Sequence, residues 1–136
     1  MERIGKYAEK KDIDNLMMNL AYDYSDYEGR DKWEAKELID GYFQQYRGIV
    51  IHMLSTRVDE INPPEAFVQS EVALSSGAAK VFRKLVKFST ENYRLSIKLV
   101  KRDKKWQIQH AEWRYITLDE LYPESLTLFN KIFKID

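Results

Sequence analysis

Lys105-Trp106-Gln107-Ile108-Gln109-His110-Ala111-Glu112-Trp113 is the stretch whose reading decides the fold. Trp106 and Ile108 are two apart and share one face of a strand; so do Ala111 and Trp113. The step from Ile108 to Ala111 is three, which breaks the period. One extra residue near Gln109 and His110 restores a common face, as a β-bulge does while bending the strand. A bent strand suits a sheet that wraps around something. A flat strand with both faces partly apolar is the alternative. The preceding strand alternates cleanly: Tyr93, Leu95, Ile97 and Leu99 against Arg94, Ser96, Lys98 and Val100, as in a sheet covered on one side. Arg102 to Lys105 is short enough for a hairpin turn, but it lacks the glycine of a primed two-residue turn. The expectation is therefore a longer or strained loop.

Working back toward the N-terminus, Ala66 to Ser75 reads as a strand with Val68, Ser70, Val72 and Leu74 on one face. Asn62-Pro63-Pro64 separates it from a long strand over 49–61. There Ile49, Ile51 and Met53 share one face, and Val50, His52, Leu54, Thr56 and Val58 the other. Both are apolar, so the pattern does not say which looks inward. Residues 78–92 fit a helical turn or a strand and are read as an irregular connection. Helix signals precede the strands. Ile4, Tyr7 and Ala8 are helically spaced, Asp12 reads as an N-cap, and Ile13, Leu16, Met17, Leu20, Ala21 and Tyr24 continue the stripe. One helix broken near Lys11 and two in succession fit equally well. Ala21 to Asp31 reads as a loop. Asp31 and Glu34 have capping-box spacing. They open a helix whose stripe is Ala35, Leu38, Ile39, Tyr42, Phe43 and Tyr46, stopped by Gly48. Gly41 sits mid-helix at a cost of about 1 kcal/mol, for which close packing on the sheet would account. After Thr117, a candidate cap, Leu126, Phe129, Ile132 and Phe133 form an amphipathic tail. It would close the open end of the sheet or meet a partner subunit.

The 136 residues are the size of one domain, read as a core over 5–115 with a helical tail over 117–135. Hydrophobic residues at 44% and charged residues at 32% describe a globular chain. The absence of cysteine excludes disulfides, cysteine–zinc sites and a thiol nucleophile. No apolar run approaches the roughly 20 residues of a membrane span. The charged N-terminus has no signal-peptide core, so a cytoplasmic location is expected; a domain excised from a longer precursor would read the same. Charge is uneven. Residues 1–60 carry nine basic and thirteen acidic side chains, and Lys80 to Lys105 holds ten basic residues against Glu91 and Asp103. A basic aromatic sheet can bind nucleic acid. A solvated hairpin face that discourages edge association is the favoured reading, so no nucleic-acid partner is expected.

Helices, a long strand and a meander closing on W-x-I-x-x-A-x-W resemble the nuclear transport factor 2-like, or SnoaL-like, superfamily. KKDIDNLMMNLAYDYSD resembles an early element of small bacterial members. WEAKELIDGYFQQY with IVIHML resembles their second helix and first long strand, and YRLSIKLVKRDKKWQIQHAEW their closing hairpin. The resemblance implies an α+β, cone-shaped, cystatin-like fold. N-terminal helices would pack on a strongly curved antiparallel sheet with a pocket at the wide end. It also implies a pocket Asp, often with His, Tyr or Arg, where members are enzymes. Asp23, Asp40, His52 and His110 are the candidates for such chemistry, but none stands in a catalytic motif. His52 and His110 could pair as acid and base or stand apart, and two histidines without a third ligand make no metal site. No phosphate loop, nucleophile elbow or dinucleotide fingerprint is present, so no cofactor is expected. The first reading is a binding module for a small, largely apolar ligand, lined by Tyr22, Tyr42, Met53, Leu95 and Trp113. The second is an isomerase, dehydratase or cyclase using Asp23 or Asp40 with Tyr or His. The third is a homodimer formed through the open sheet face.

Overall fold

The computed structural model describes residues 10–45, 49–76 and 91–133. The expectations for Ile4 to Ala8, for Tyr46 and the Gly48 stop, and for most of the 78–92 connection lie outside them. The order is α1 (Ile13–Met18), β1 (Leu20–Asp26), α2 (Lys32–Gln45), β2 (Ile49–Asn62), β3 (Glu65–Ser76), β4 (Glu91–Arg102), β5 (Lys105–Ile116), a 3-10 turn (Leu118–Glu120) and α3 (Pro123–Phe133). The strands form one unclosed sheet in the order β1-β5-β4-β3-β2.

The bulge in β5 falls where the broken period put it. Ile108 faces Leu99 and His110 faces Lys98, leaving Gln109 as the extra residue. Trp106, Ile108, Ala111 and Trp113 oppose Lys101, Leu99, Ile97 and Leu95, so all four share one face. β2 carries two further register shifts, at Leu54 and Asp59. The first moves Thr56 and Val58 onto the face of Ile51 and Met53, against the simple alternation read from the sequence. Three bulges in two strands supply the bend that the fold requires.

Two elements differ from the sequence reading. Ala21 to Asp26 is a strand, not a loop, and it joins β5 in parallel, so the sheet is mixed rather than wholly antiparallel. The reason is the open edge of β5. Ile108 N–H donates to the Asn19 carbonyl (2.8 Å) and Tyr27 N–H to the Ala111 carbonyl (3.2 Å), satisfying groups the helix would have left bare. The β4–β5 connection is a two-residue turn despite lacking glycine. Asp103 (φ 51°) and Lys104 (φ 63°) both adopt the left-handed region, so the strain expected there sits in these two residues.

The helix starts follow their signals. Asp12 accepts from the Asn15 N–H (3.4 Å) and side-chain amide (2.7 Å). Glu34 N–H donates to Asp31 (2.9 Å) and Asp31 N–H to Glu34 (3.3 Å), completing the capping box. Lys11, with φ 56°, breaks the chain before α1, and its ammonium donates to the Phe43 carbonyl (2.7 Å) at the far end of α2. Gly41 does not serve close packing: a Cβ there would meet nothing within 4 Å.

Two cores lie on opposite faces. The inner one joins Leu16, Met17, Leu20, Tyr24, Ala35 and Phe43 to Ile97 and Ile108. The outer one joins Leu54, Ala73 and Ile116 to Leu121 and Phe129 beneath α3. The tail therefore packs on its own sheet. Ile51 belongs to the inner layer and Leu54 to the outer, which explains why β2 is apolar on both sides.

Candidate functional site

The register sets up the inner face row by row. Met53, Val72, Tyr93 and Tyr115 form one row; Thr56, Ser70, Leu95 and Trp113 form the next. Tyr42 comes down onto this face from α2, packed against the inner core. Four of the five residues expected to line a pocket, Tyr42, Met53, Leu95 and Trp113, thus belong to one surface. All four are half-buried, whereas Ile97 and Ile108 further along the same face are only 5% and 7% exposed. Tyr22 is not among them. Its ring is 81% exposed, with the Arg102 guanidinium 5.0 Å from its centroid.

The aromatic residues of this face order one another. Tyr27 meets Trp113 edge-on with centroids 5.0 Å apart, and the Arg30 guanidinium lies 5.8 Å from the Trp113 ring. Tyr93 meets Tyr115 edge-on at 6.0 Å, and its hydroxyl donates to Glu91 (2.7 Å). Burial, then that carboxylate, holds the Tyr93 phenol well above its ordinary pKa, with the Tyr42 phenol adding to the effect. Burial likewise pushes Tyr24 up to about 12, with Asp26 contributing. Both phenols therefore stay protonated and can donate. Thr56 and Ser70 share a hydroxyl–hydroxyl bond of 3.1 Å in the second row.

The acid–base candidates are dispersed. Asp23 points outward, held by both guanidinium nitrogens of Arg102 (2.8 Å each) and by Gln109 (2.9 Å). The Arg102 contact keeps its carboxyl well below the usual carboxylate range. Asp40 is half-buried on α2 and makes no hydrogen bond or ion pair among the described residues. His52 faces Ala73 on β2 and His110 faces Lys98 on β5. Three inter-strand steps separate them, roughly 14 Å along the sheet, too far for an acid–base pair. His110 instead lies between Ser25 (Oγ to Nδ1, 3.4 Å) and Glu112 (Oε1 to Nε2, 3.4 Å). Both contacts are long and water-exposed, a loose polar chain rather than an activated nucleophile.

Asp26, which from the sequence could act with Asp23 as a base or cation ligand or stand as a solvated loop residue, is a buried carboxylate at the end of β1. Its oxygens accept from Glu28 N–H (2.9 Å), Arg30 N–H (3.0 Å) and the Arg30 guanidinium (3.1 Å), so it closes the turn into α2 rather than serving as a base. Sequence reasoning did not single out Tyr93, although the alternation of β4 places it on the face of Leu95. Half of the described basic residues of the hairpin are paired: Arg94 with Glu71, Lys98 with Glu65 and Arg102 with Asp23. Among the described residues no group of three or more His, Cys, Asp or Glu could hold a metal ion. No described helix is long and apolar enough to cross a membrane.

No family model and no curated protein matches the sequence. Solved structures do. A nuclear transport factor 2-like protein of unknown function from Pseudomonas putida superposes with a TM-score of 0.68 at 14% identity, over 90% of each chain. This chain has the nuclear transport factor 2-like, cystatin-like fold. A candidate scytalone dehydratase from Novosphingobium aromaticivorans matches with a TM-score of 0.70 at 18% identity, over 86% of this chain and 79% of that one. A Bdellovibrio bacteriovorus protein matches at 0.70 and 14% identity over 85% of this chain, which spans only 38% of that longer protein. Within this nuclear transport factor 2-like fold, the inner face described above is the surface between α2 and the bent sheet.

Proposed function

We propose that this protein binds a small, largely apolar molecule against the inner face, between Tyr42 on one side and Met53, Leu95 and Trp113 on the other. The observation that carries the reading is the unequal cover of that face. Ile97 and Ile108 are buried, as are Val72 and Ser70 in the middle of the two rows, while Tyr42, Met53, Leu95 and Trp113 keep accessible surface around them. An apolar floor with a few polar anchors is the usual make-up of a ligand site. The Tyr93 and Tyr42 phenols and the Thr56 hydroxyl, which Ser70 holds from behind, supply the anchors here. Binding without chemistry is the reading adopted. Proton abstraction requires a carboxylate free to accept. Asp23, Asp26 and Glu91 are engaged, and Asp40 is the candidate left without a hydrogen bond or ion pair among the described residues. A turnover abolished in Asp40→Asn would therefore favour the enzyme reading instead.

The test is native mass spectrometry of the purified protein, repeated after denaturation. The expected result is a non-covalent adduct that disappears on unfolding and is reduced several-fold in Trp113→Ala. A ligand-free protein that also fails to take up a hydrophobic dye, or an adduct indifferent to Trp113→Ala and to Leu95→Gln, would overturn the proposal.

A further inference from the structure

A groove of about 370 Å³ whose lining includes none of the residues of the sheet's aromatic rows is walled by α1, the start of β1 and the first two turns of α2. Its apolar surface is Met17, Met18, Tyr22 and Trp33. Met18, Tyr22 and Trp33 are 56%, 81% and 72% exposed. Single exposed apolar residues need no explanation, but three bordering one hollow do.

The charged groups at the rim divide into two kinds. Asp31 and Lys32 have structural work: Asp31 accepts the Glu34 N–H (2.9 Å), and Lys32 donates to the Leu20 carbonyl (3.0 Å). Asp14 and Lys36 do not. Neither makes a hydrogen bond or an ion pair among the described residues, and the Lys36 ammonium lies only against the Trp33 ring, 5.5 Å from its centroid. The groove therefore offers one open carboxylate from α1, one open ammonium from α2, and aromatic and thioether surface with them. The volume falls in the range of small-molecule sites, about 300–1,000 Å³.

We propose that this groove is a second binding site, for a small aromatic zwitterion of the free aromatic amino acid class. The ligand's ring lies against Trp33 and the methionines, its ammonium meets Asp14, and its carboxylate meets Lys36. A simple cation is disfavoured because Lys36 already occupies the cation position at the Trp33 ring. A simple anion would leave Asp14 repelling it. A zwitterion with an apolar body matches all three features at once. The groove shares only Met17 with the inner core, and none of its side chains is among Tyr42, Met53, Leu95 and Trp113.

Three probes separate the contributions: L-tryptophan, tryptamine (no carboxylate) and indole-3-propionate (no ammonium), titrated by ligand-observed NMR into the whole chain. L-tryptophan is expected to bind most tightly, with each truncated probe weaker by up to about tenfold, the scale of one charge-assisted hydrogen bond. Asp14→Asn should erase the advantage of L-tryptophan over indole-3-propionate, and Lys36→Gln its advantage over tryptamine. Trp33→Ala should weaken all three, and Trp113→Ala none. These positions are at the surface, so circular dichroism should show an unchanged fold. Equal affinity for the three probes, binding that survives Trp33→Ala, binding lost in Trp113→Ala, or no binding at millimolar concentration would overturn the assignment.

Discussion

Two positions carry a measurable cost or shift of their own. Gly41 stands in the interior of α2 with open space around its Cα, and nothing in the structure requires a glycine there. Gly41→Ala is expected to stabilise the protein by up to about 1 kcal/mol through reduced unfolded-state freedom and better helix propensity. A rise in the denaturant midpoint at unchanged slope checks this; a fall would mean that the added methyl meets something the structure does not place there. Tyr24 is the second case. Folding raises its pKa from 10.0 to about 12 because the phenolate would lie buried near Asp26. The folded state thus holds the proton more tightly than the unfolded one. The associated stability is full below pH 10 and declines as pH climbs toward 12. Melting temperatures from pH 8 to 11.5 should fall less steeply in Tyr24→Phe than in the parent. Equal slopes would mean that the phenol ionises without penalty.

At the scale of elements, the β5 bulge, the caps of α1 and α2 and the amphipathic tail were legible, because each is written in adjacent residues. β1 was not. Leu16, Leu20 and Tyr24 fit a helical stripe, and only the empty edge of β5, ninety residues away in the chain, turns Leu20 to Asp26 into a strand. Of the candidate site, strand positions put Met53, Leu95 and Trp113 on one face and the helical stripe brought Tyr42 to it, whereas Tyr22 stands apart from that face. The attachment of the tail was equally hidden. Glu71, fully buried on β3, accepts from the Arg94 Nε (2.8 Å) and from the Tyr122 N–H (2.8 Å). The Tyr122 ring lies 3.5 Å from the Arg57 guanidinium and 4.6 Å from that of Arg94, measured to its centroid, and its hydroxyl donates to Gln69. A glutamate flanked by serine and valine gives no sign of this. Arg94→Met leaves the Glu71 charge buried without its ion-pair partner and is expected to cost about 3–5 kcal/mol, whereas Glu71→Leu added to it should recover most of the loss. Urea unfolding of the single and double variants decides. A double variant no more stable than Arg94→Met would show that the backbone bond to Tyr122, not the ion pair, fixes the tail.

At the scale of the molecule, one sheet serves two cores, and the strands make them interdependent. β2 gives Ile51 to the inner layer and Leu54, three residues on, to the outer one; β4 likewise gives Ile97 inward while its Asn92 pairs beside Ile116 on the outer side. A strand cannot leave one core and stay in the other, so the inner and outer layers should unfold together. Leu16→Ala empties space in the inner core and is expected to cost about 2–5 kcal/mol; Phe129→Ala empties the outer core for about 3–5 kcal/mol. Either is a large share of the roughly 5–15 kcal/mol of a typical domain. Each variant should nonetheless show one transition, coincident by tryptophan fluorescence and far-ultraviolet circular dichroism, displaced to lower denaturant at the parent's slope. The two sites lie on opposite faces and share no partner, so their costs should add in the double variant if it still folds. A separate early transition in Phe129→Ala, with the fluorescence of the inner-face tryptophans unchanged through it, would make α3 and its core an independent unit. The inner layer would then fold without it.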